Sequence, residues 1–322
     1  MATAATRQRR LTSVSYHPAS EAADHYRRAR TAALAPEFAA QPRLDLKNFG
    51  GHTIPALTFT NVYLGTWSTA DVQHIDRALA KAMADPNLNN VIAQYFPGAK
   101  VSSKFVASRK LAGPVPSRVF KDTVEGFVAA LDANGGLASF NLPSTVINFL
   151  LPKGVVLADG NSKGHQEKSS KLGFEVAEHQ VDSKHGLGGF HGSVHVRRGK
   201  NKVDTVYYAV GVYSQGSNGI VAFGQPWKNV VATFYHELQE ARTDPDVEDA
   251  EKTGRDAKLG WYSPKGGEIG DMPMDEAGPD LGLVMKEVPL ADDSGMVPIQ
   301  LIWSNAAHGP EGPIPSPHPT AH

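Results

Sequence analysis

Between Pro226 and Pro245, the residues Trp227, Val230, Val231, Phe234, Leu238 and Ala241 recur at three- and four-residue intervals. That spacing lines one side of an α-helix with apolar groups. Pro226 sits where a first-turn proline is tolerated, and Pro245 biases Asp244 away from helical geometry, so the helix is expected over about 226 to 243. The rest of the chain is organised around this segment, because the side opposite the stripe carries His236, Glu237 and Glu240. In a helix, residues four apart lie about 40° apart around the axis and neighbours about 100° apart. His236 and Glu240 can therefore reach one ion while Glu237 holds a water beside it.

His-Glu-x-x-Glu differs by one residue from the His-Glu-x-x-His signature of zinc hydrolases. A second segment strengthens the match: Gly260-Trp261-Tyr262 is followed by Gly267-Glu268-Ile269-Gly270-Asp271. One large class of zinc hydrolases takes its third ligand from a downstream glutamate, with a nearby aspartate orienting a histidine ligand. His236, Glu240 and Glu268 are thus the expected ligands and Asp271 their support. Asp246 is the rival to Glu268, since another zinc-hydrolase class places its third ligand at that spacing. Asp244, at the negative end of the helix, needs an offsetting positive charge, which a cation or Arg242 would supply. One His and two carboxylates leave the site charge near zero, which weakens the metal as a Lewis acid and widens the choice from zinc to manganese or calcium. Glu237 is the expected general base, taking a proton from water as it attacks a peptide carbonyl and passing it to the leaving amine.

Composition narrows the alternatives. With 322 residues, 41% of them hydrophobic, the chain can build a core of substantial size. There is no cysteine, so disulfides, thiolate metal sites and cysteine nucleophiles are excluded, and any metal must be held by His, Asp or Glu. A net charge of -1 argues against a nucleic-acid partner, although basic residues lead in the first 47 positions and acidic ones after 240. No apolar run has the length of a membrane span, and the Arg9-Arg10 pair lacks the apolar stretch of an export signal. The expectation is a cytoplasmic protein unless another route exports it.

Along the chain, residues 1–50 read as a peripheral extension with one helix from Ala19 to Leu34. A single catalytic domain is expected over 51–305. It starts with a strand from Ala56 to Leu64, a helix capped by Ser68, a further helical stretch near 87–95, and a helix from Ser117 to Leu131. An apolar strand pair follows at Val146–Leu151 and Val155–Leu157, and residues 158–188 read as a mobile loop. Phe190–Val196 and Val203–Tyr213 form a hairpin, and Ile220–Phe223 is expected to add a short strand. Strand-like pieces recur at Leu283–Val288 and Ile299–Trp303, and the Pro- and His-rich residues 306–322 read as disordered.

His191 and His195, four apart in a strand, face the same side. They fit either a cleft wall that stabilises an oxyanion or a surface hairpin face. Tyr262 is either a hydrogen-bond donor to the tetrahedral intermediate or a core aromatic.

The segments His236 to Glu240, Asp244-Pro245, Trp261-Tyr262 and Glu268 to Asp271 resemble the phosphate-induced, exordium-like proteins of plants and their microbial relatives. The likeness is best from about 189 to 271, where Gly189-Phe190-His191-Gly192 matches the aromatic-His-small segment of the microbial members. It implies a zincin-like α/β (α+β) domain, with a mixed sheet packed against the active-site helix, and it favours His191 over His195. Plant members carry cysteines, one of them after the Glu-Ile-Gly-Asp segment, where this chain has Met272-Pro273.

The leading expectation is a zinc peptidase acting on a peptide or protein, with Glu237, His191 and Tyr262 in the catalytic set and a strand edge beside the helix to receive an extended substrate. The alternatives are a binding or structural protein whose metal clamps the helix to the Glu268 loop, and a metal-free helix face that meets a protein partner.

Overall fold

The computed structural model describes residues 14–16, 38–160, 162, 181–198, 200, 202–247 and 259–321. The strands are β1 (Val14–Tyr16), β2 (Lys47–Asn48), β3 (Ala56–Leu64), β4 (Ser102–Leu111), β5 (Arg118–Val119), β6 (Thr145–Leu150) and β7 (Val156–Leu157). They continue with β8 (Leu187–Arg197), β9 (Val203–Gly211), β10 (Trp261–Tyr262), β11 (Met285–Pro289), β12 (Met296–Gln300), β13 (Ile302–Ser304) and β14 (Gly309–Glu311). The helices are α1 (Thr69–Ala84), α2 (Pro86–Ile92), α3 (Lys121–Ala133), α4 (Pro226–Thr243) and α5 (Asp271–Ala277).

The fold is mixed α/β, built on a six-stranded sheet of order β1-β8-β9-β6-β3-β4. The strands from β9 to β4 run parallel, whereas β8 pairs antiparallel with β9 and β1 antiparallel with β8. Side chains along a strand alternate between faces, and here both faces are covered. Phe59, Tyr63, Val146, Leu150 and Tyr207 join the core under α1 and α4, while Val62, Leu64, Ile147, Phe149 and Tyr208 join the one under α3. This is why β6 is buried along its whole length and β3 from Phe59 to Leu64 without in–out alternation.

Several local signals act as expected. Ser68 accepts a hydrogen bond from the Asp71 amide at 3.0 Å and starts α1, and Asp85 does the same for Leu88 at 3.0 Å in α2. β8 and β9 pair as the expected hairpin, and α4 spans Pro226–Thr243.

Other expectations give way to tertiary pairing. The helix expected from Ser117 begins at Lys121, because Arg118 and Val119 are drawn into a parallel pair with Val156 and Leu157. The two apolar runs around Pro152 therefore separate, β6 into the main sheet and β7 to β5. Ile220–Phe223 is not a strand: the Ala222 and Phe223 amides donate to Asn229 Oδ1 at 2.9 and 2.8 Å and are tied to the first turns of α4. The Pro- and His-rich tail is docked rather than disordered. β14 pairs with β13, the Ile314 amide donates to Asn87 O, and the Ala321 amide donates to Gln94 O. Extended, proline-rich backbone can dock through the few amides it keeps, which composition alone does not show. Residues before 50 are not wholly peripheral either, since β2 pairs with β10 and β1 joins the main sheet. The helix expected at Ala19–Leu34 and most of the expected 158–188 loop lie outside the described residues. Among the described residues no helix is long and apolar enough to cross a membrane.

Candidate metal centre

Every residue of α4 from Asn229 to Thr243 is buried. The face carrying His236, Glu237 and Glu240 is thus not a solvated surface. It meets β8, β12 and the Glu268–Asp271 segment. Burying charged groups is costly unless they are paired or bind a cation, so each contact here carries weight.

His236 is oriented by a residue that the sequence reading did not single out. Gln300 Nε2 donates to Gly270 O at 2.6 Å, which fixes the amide so that Oε1 accepts from His236 Nδ1 at 2.9 Å. Nε2 of His236 then faces Glu240 Oε1 at 3.1 Å, the geometry of two ligands turned to one point. The Asp271 amide donates to the same Glu240 oxygen at 3.1 Å. Gly270 lies over the imidazole so closely that a Cβ there would stand 2.5 Å from His236 Nδ1.

His191, from β8, occupies the other side of Glu240. Its Nδ1 is 3.3 Å from Glu237 Oε2 and 3.5 Å from Glu240 Oε2, and its Nε2 is 3.0 Å from Asp244 O and 3.5 Å from Glu268 Oε1. Glu237 Oε1 accepts from Ser15 Oγ at 2.7 Å. Asp244 accepts from the Gly260 amide at 2.9 Å, and the Glu268 amide donates to Asp271 Oδ2 at 3.4 Å. His191, His236, Glu237, Glu240, Asp244 and Glu268 are 0% exposed and Asp271 is 2% exposed.

The structure rearranges the expected ligand set. Among the described residues, two groups of possible ligand atoms lie within 4.8 Å of one another: His191, Glu237 and Glu240, and His236, Glu240 and Asp271. Asp271 therefore stands beside His236 and Glu240 where Glu268 was expected, and Glu268 faces His191. Arg242 does not offset Asp244: its guanidinium turns away to Ser102 O, Ser103 Oγ and Asn89 Oδ1. Asp246 is half-buried and accepts from Tyr207 OH at 3.2 Å. His191 and His195 part company along β8, because His195 lies beyond the helix cover and is exposed beside Thr205. Tyr262 packs with Val247, Leu259 and Phe49 in a separate small apolar cluster. The sequence carries no signal for Gln300 or Ser15, which reach the centre only through β12 and β1.

Charge is strongly redistributed across this cluster. Burial would lower the His191 imidazole, but Glu268, Glu237 and Glu240 outweigh it and hold its pKa well above the usual value. His236 is likewise lowered by burial yet pushed up to about 10 by Glu240, Glu237 and Asp271. Burial opposes ionisation of Glu240, but His236 and His191 bring it down to about 2. Burial raises Glu237, takes Asp244 to about 7, and lifts Glu268 well above the carboxylate range. Protons are thus one way to neutralise the cluster. They do not satisfy all of its polar atoms: among the described residues, Asp244 Oδ2 and both Glu268 oxygens stay buried without a hydrogen-bond partner. Buried polar atoms are rarely left so, and a divalent cation fits this donor set of imidazole nitrogens and carboxylate oxygens.

No family model, curated protein or solved structure matches the chain. The function must be drawn from the centre itself.

Proposed function

We propose that the chain is a metal-dependent hydrolase, with zinc as the first-choice metal, manganese or calcium as alternatives, and a peptide or protein as substrate. The observation that carries this is the convergence of His236 Nε2 and Glu240 on one point beside the unpartnered buried oxygens of Glu268, all within an enclosed cluster. His236 and Glu240 would hold the metal, with Asp271 or Glu268 completing the set. When bound, the ion supplies Lewis-acid polarisation of a carbonyl and acidifies water. Gln300 keeps His236 Nδ1 protonated, and so keeps Nε2 available. Glu237, next to His236 and facing His191, accepts the proton of the attacking water and delivers it to the leaving amine. His191 neutralises negative charge as it develops on the carbonyl oxygen.

A second reading is favoured by one observation, the complete burial of the cluster. Here the metal is structural and clamps α4 to the segment before α5. One experiment separates the two. Metal content is measured by elemental mass spectrometry on the untagged chain and on His236→Ala and Glu237→Gln, beside a screen for peptide cleavage. Both readings require bound metal that His236→Ala loses and Glu237→Gln keeps. Cleavage abolished by Glu237→Gln selects the hydrolase, whereas intact metal with no cleavage selects the clamp. Absence of metal, or metal indifferent to His236→Ala, rejects both.

A further inference from the structure

The Glu237 side of the cluster is covered by β1. β1 runs antiparallel to β8, with Val14 opposite Phe190, Ser15 opposite Gly189 and Tyr16 opposite Leu187. It lies at the outer edge of the sheet, against the strand that carries His191, and also touches α4 and α5. Ser15 is 1% exposed and its hydroxyl donates to Glu237, the residue proposed to accept the proton of water. Two glycines make this approach possible. A Cβ at Gly188 would lie 3.1 Å from Ser15 Oγ, and one at Gly189 would lie 3.1 Å from Glu237 Oε1. The occupant's small side chain therefore reaches the carboxylate over a stretch of β8 that has no side chains of its own.

We infer that the Leu187–Phe190 edge of β8 is the binding site for an extended peptide with a small residue opposite Gly189, and that Val14–Tyr16 occupies it as a resident pseudosubstrate. Backbone pairing at a sheet edge gives affinity for any extended chain, and the alternate side chains give selectivity. Ser15 is enclosed between Glu237 and the Gly188–Gly189 floor, so a glycine, alanine or serine fits there and a large side chain does not. Among the described residues, β1 pairs with β8 over Val14–Tyr16 with a register shift between Ser15 and Tyr16, whereas β8 and β9 pair without a shift from Gly189 to Arg197. The strand site beside Glu237 is thus filled from within. The inference rests on the proposed role of Glu237, but its test does not.

The test uses the full-length chain and a fluorescein-labelled peptide copying residues 10–20, followed by fluorescence anisotropy. Ser15→Arg places a long cation in the enclosed position, and Tyr16→Pro removes a backbone donor from the strand. A site occupied by its own strand for nine-tenths of the time weakens an added peptide about tenfold. Both variants should therefore bind the peptide at least about tenfold more tightly than the parent chain, and a peptide with tryptophan in place of Ser15 should lose that binding. Equal binding by parent and variants, or binding by neither, overturns the proposal. So does loss of folding in both variants by circular dichroism, which would make β1 a permanent strand of the sheet. Binding needs neither metal nor turnover. Peptide that binds the variants but is never cleaved by the zinc-loaded protein would reject the hydrolase and leave the strand site standing.

Discussion

Replacing Gly270 by alanine should damage the centre without touching any ligand. Gly270 has φ -87°, which any residue adopts, so the effect is steric and not conformational. The added Cβ would meet His236 Nδ1 at 2.5 Å, Cε1 at 2.6 Å and Cγ at 2.8 Å, well inside contact distance and against a ring with nowhere to retreat. Restoring ordinary contact requires the segment or the imidazole to move by about 1 Å, since carbon atoms pack best at roughly 3.5–4.0 Å. Such a shift loosens the Gln300 bond to Gly270 O and the Asp271 amide bond to Glu240 Oε1. Overpacking costs about 1–3 kcal/mol. A weakened hydrogen bond to a charged group adds about 1.5–3 kcal/mol if it is lost outright. A net loss of roughly 2–4 kcal/mol is expected from urea unfolding, together with weaker retention of metal against a chelator. An unchanged urea midpoint and unchanged metal retention would refute the proposed contact between this segment and His236.

Two further outcomes follow from the same cluster. Burial already favours the neutral form of Glu268, so Glu268→Gln exchanges one neutral buried group for another, and the stability of the metal-free chain should change by less than about 1 kcal/mol while metal affinity falls. Denaturation with and without added zinc reads the difference, and an equal loss under both conditions would count against it. Gln300→Leu takes away the acceptor that orients His236 and should cut metal affinity about 10–100-fold with the fold intact. Competition against a fluorescent zinc chelator measures it, and an unchanged constant would remove Gln300 from the centre.

The legible parts of this protein are those whose cause is local. Apolar residues at helical spacing marked α4, its prolines set both ends, Ser68 announced α1, and the runs at β3, β6, β8 and β9 appeared because burial on one or both faces leaves its periodicity in the chain. The i, i+4 relation of His236 and Glu240 likewise follows from helix geometry alone. Signals that require a distant partner were not legible. Arg118 and Val119 continue an apolar helical pattern yet become a strand once Val156 and Leu157 pair with them. A tail of prolines docks through the amides of Ile314 and Ala321, which composition does not reveal.

The candidate centre divides in the same way. The sequence by itself determined that one helix presents His236, Glu237 and Glu240 together. Only the tertiary structure decided their partners: Asp271 beside His236 and Glu240, Glu268 beside His191, Arg242 turned from Asp244, Gln300 and Ser15 brought in from β12 and β1. The reason is physical. Spacing along one helix fixes directions to within a turn, but which loop atom meets a side chain depends on packing at the scale of an ångström, set by residues such as Gly270, whose missing side chain leaves room for the imidazole.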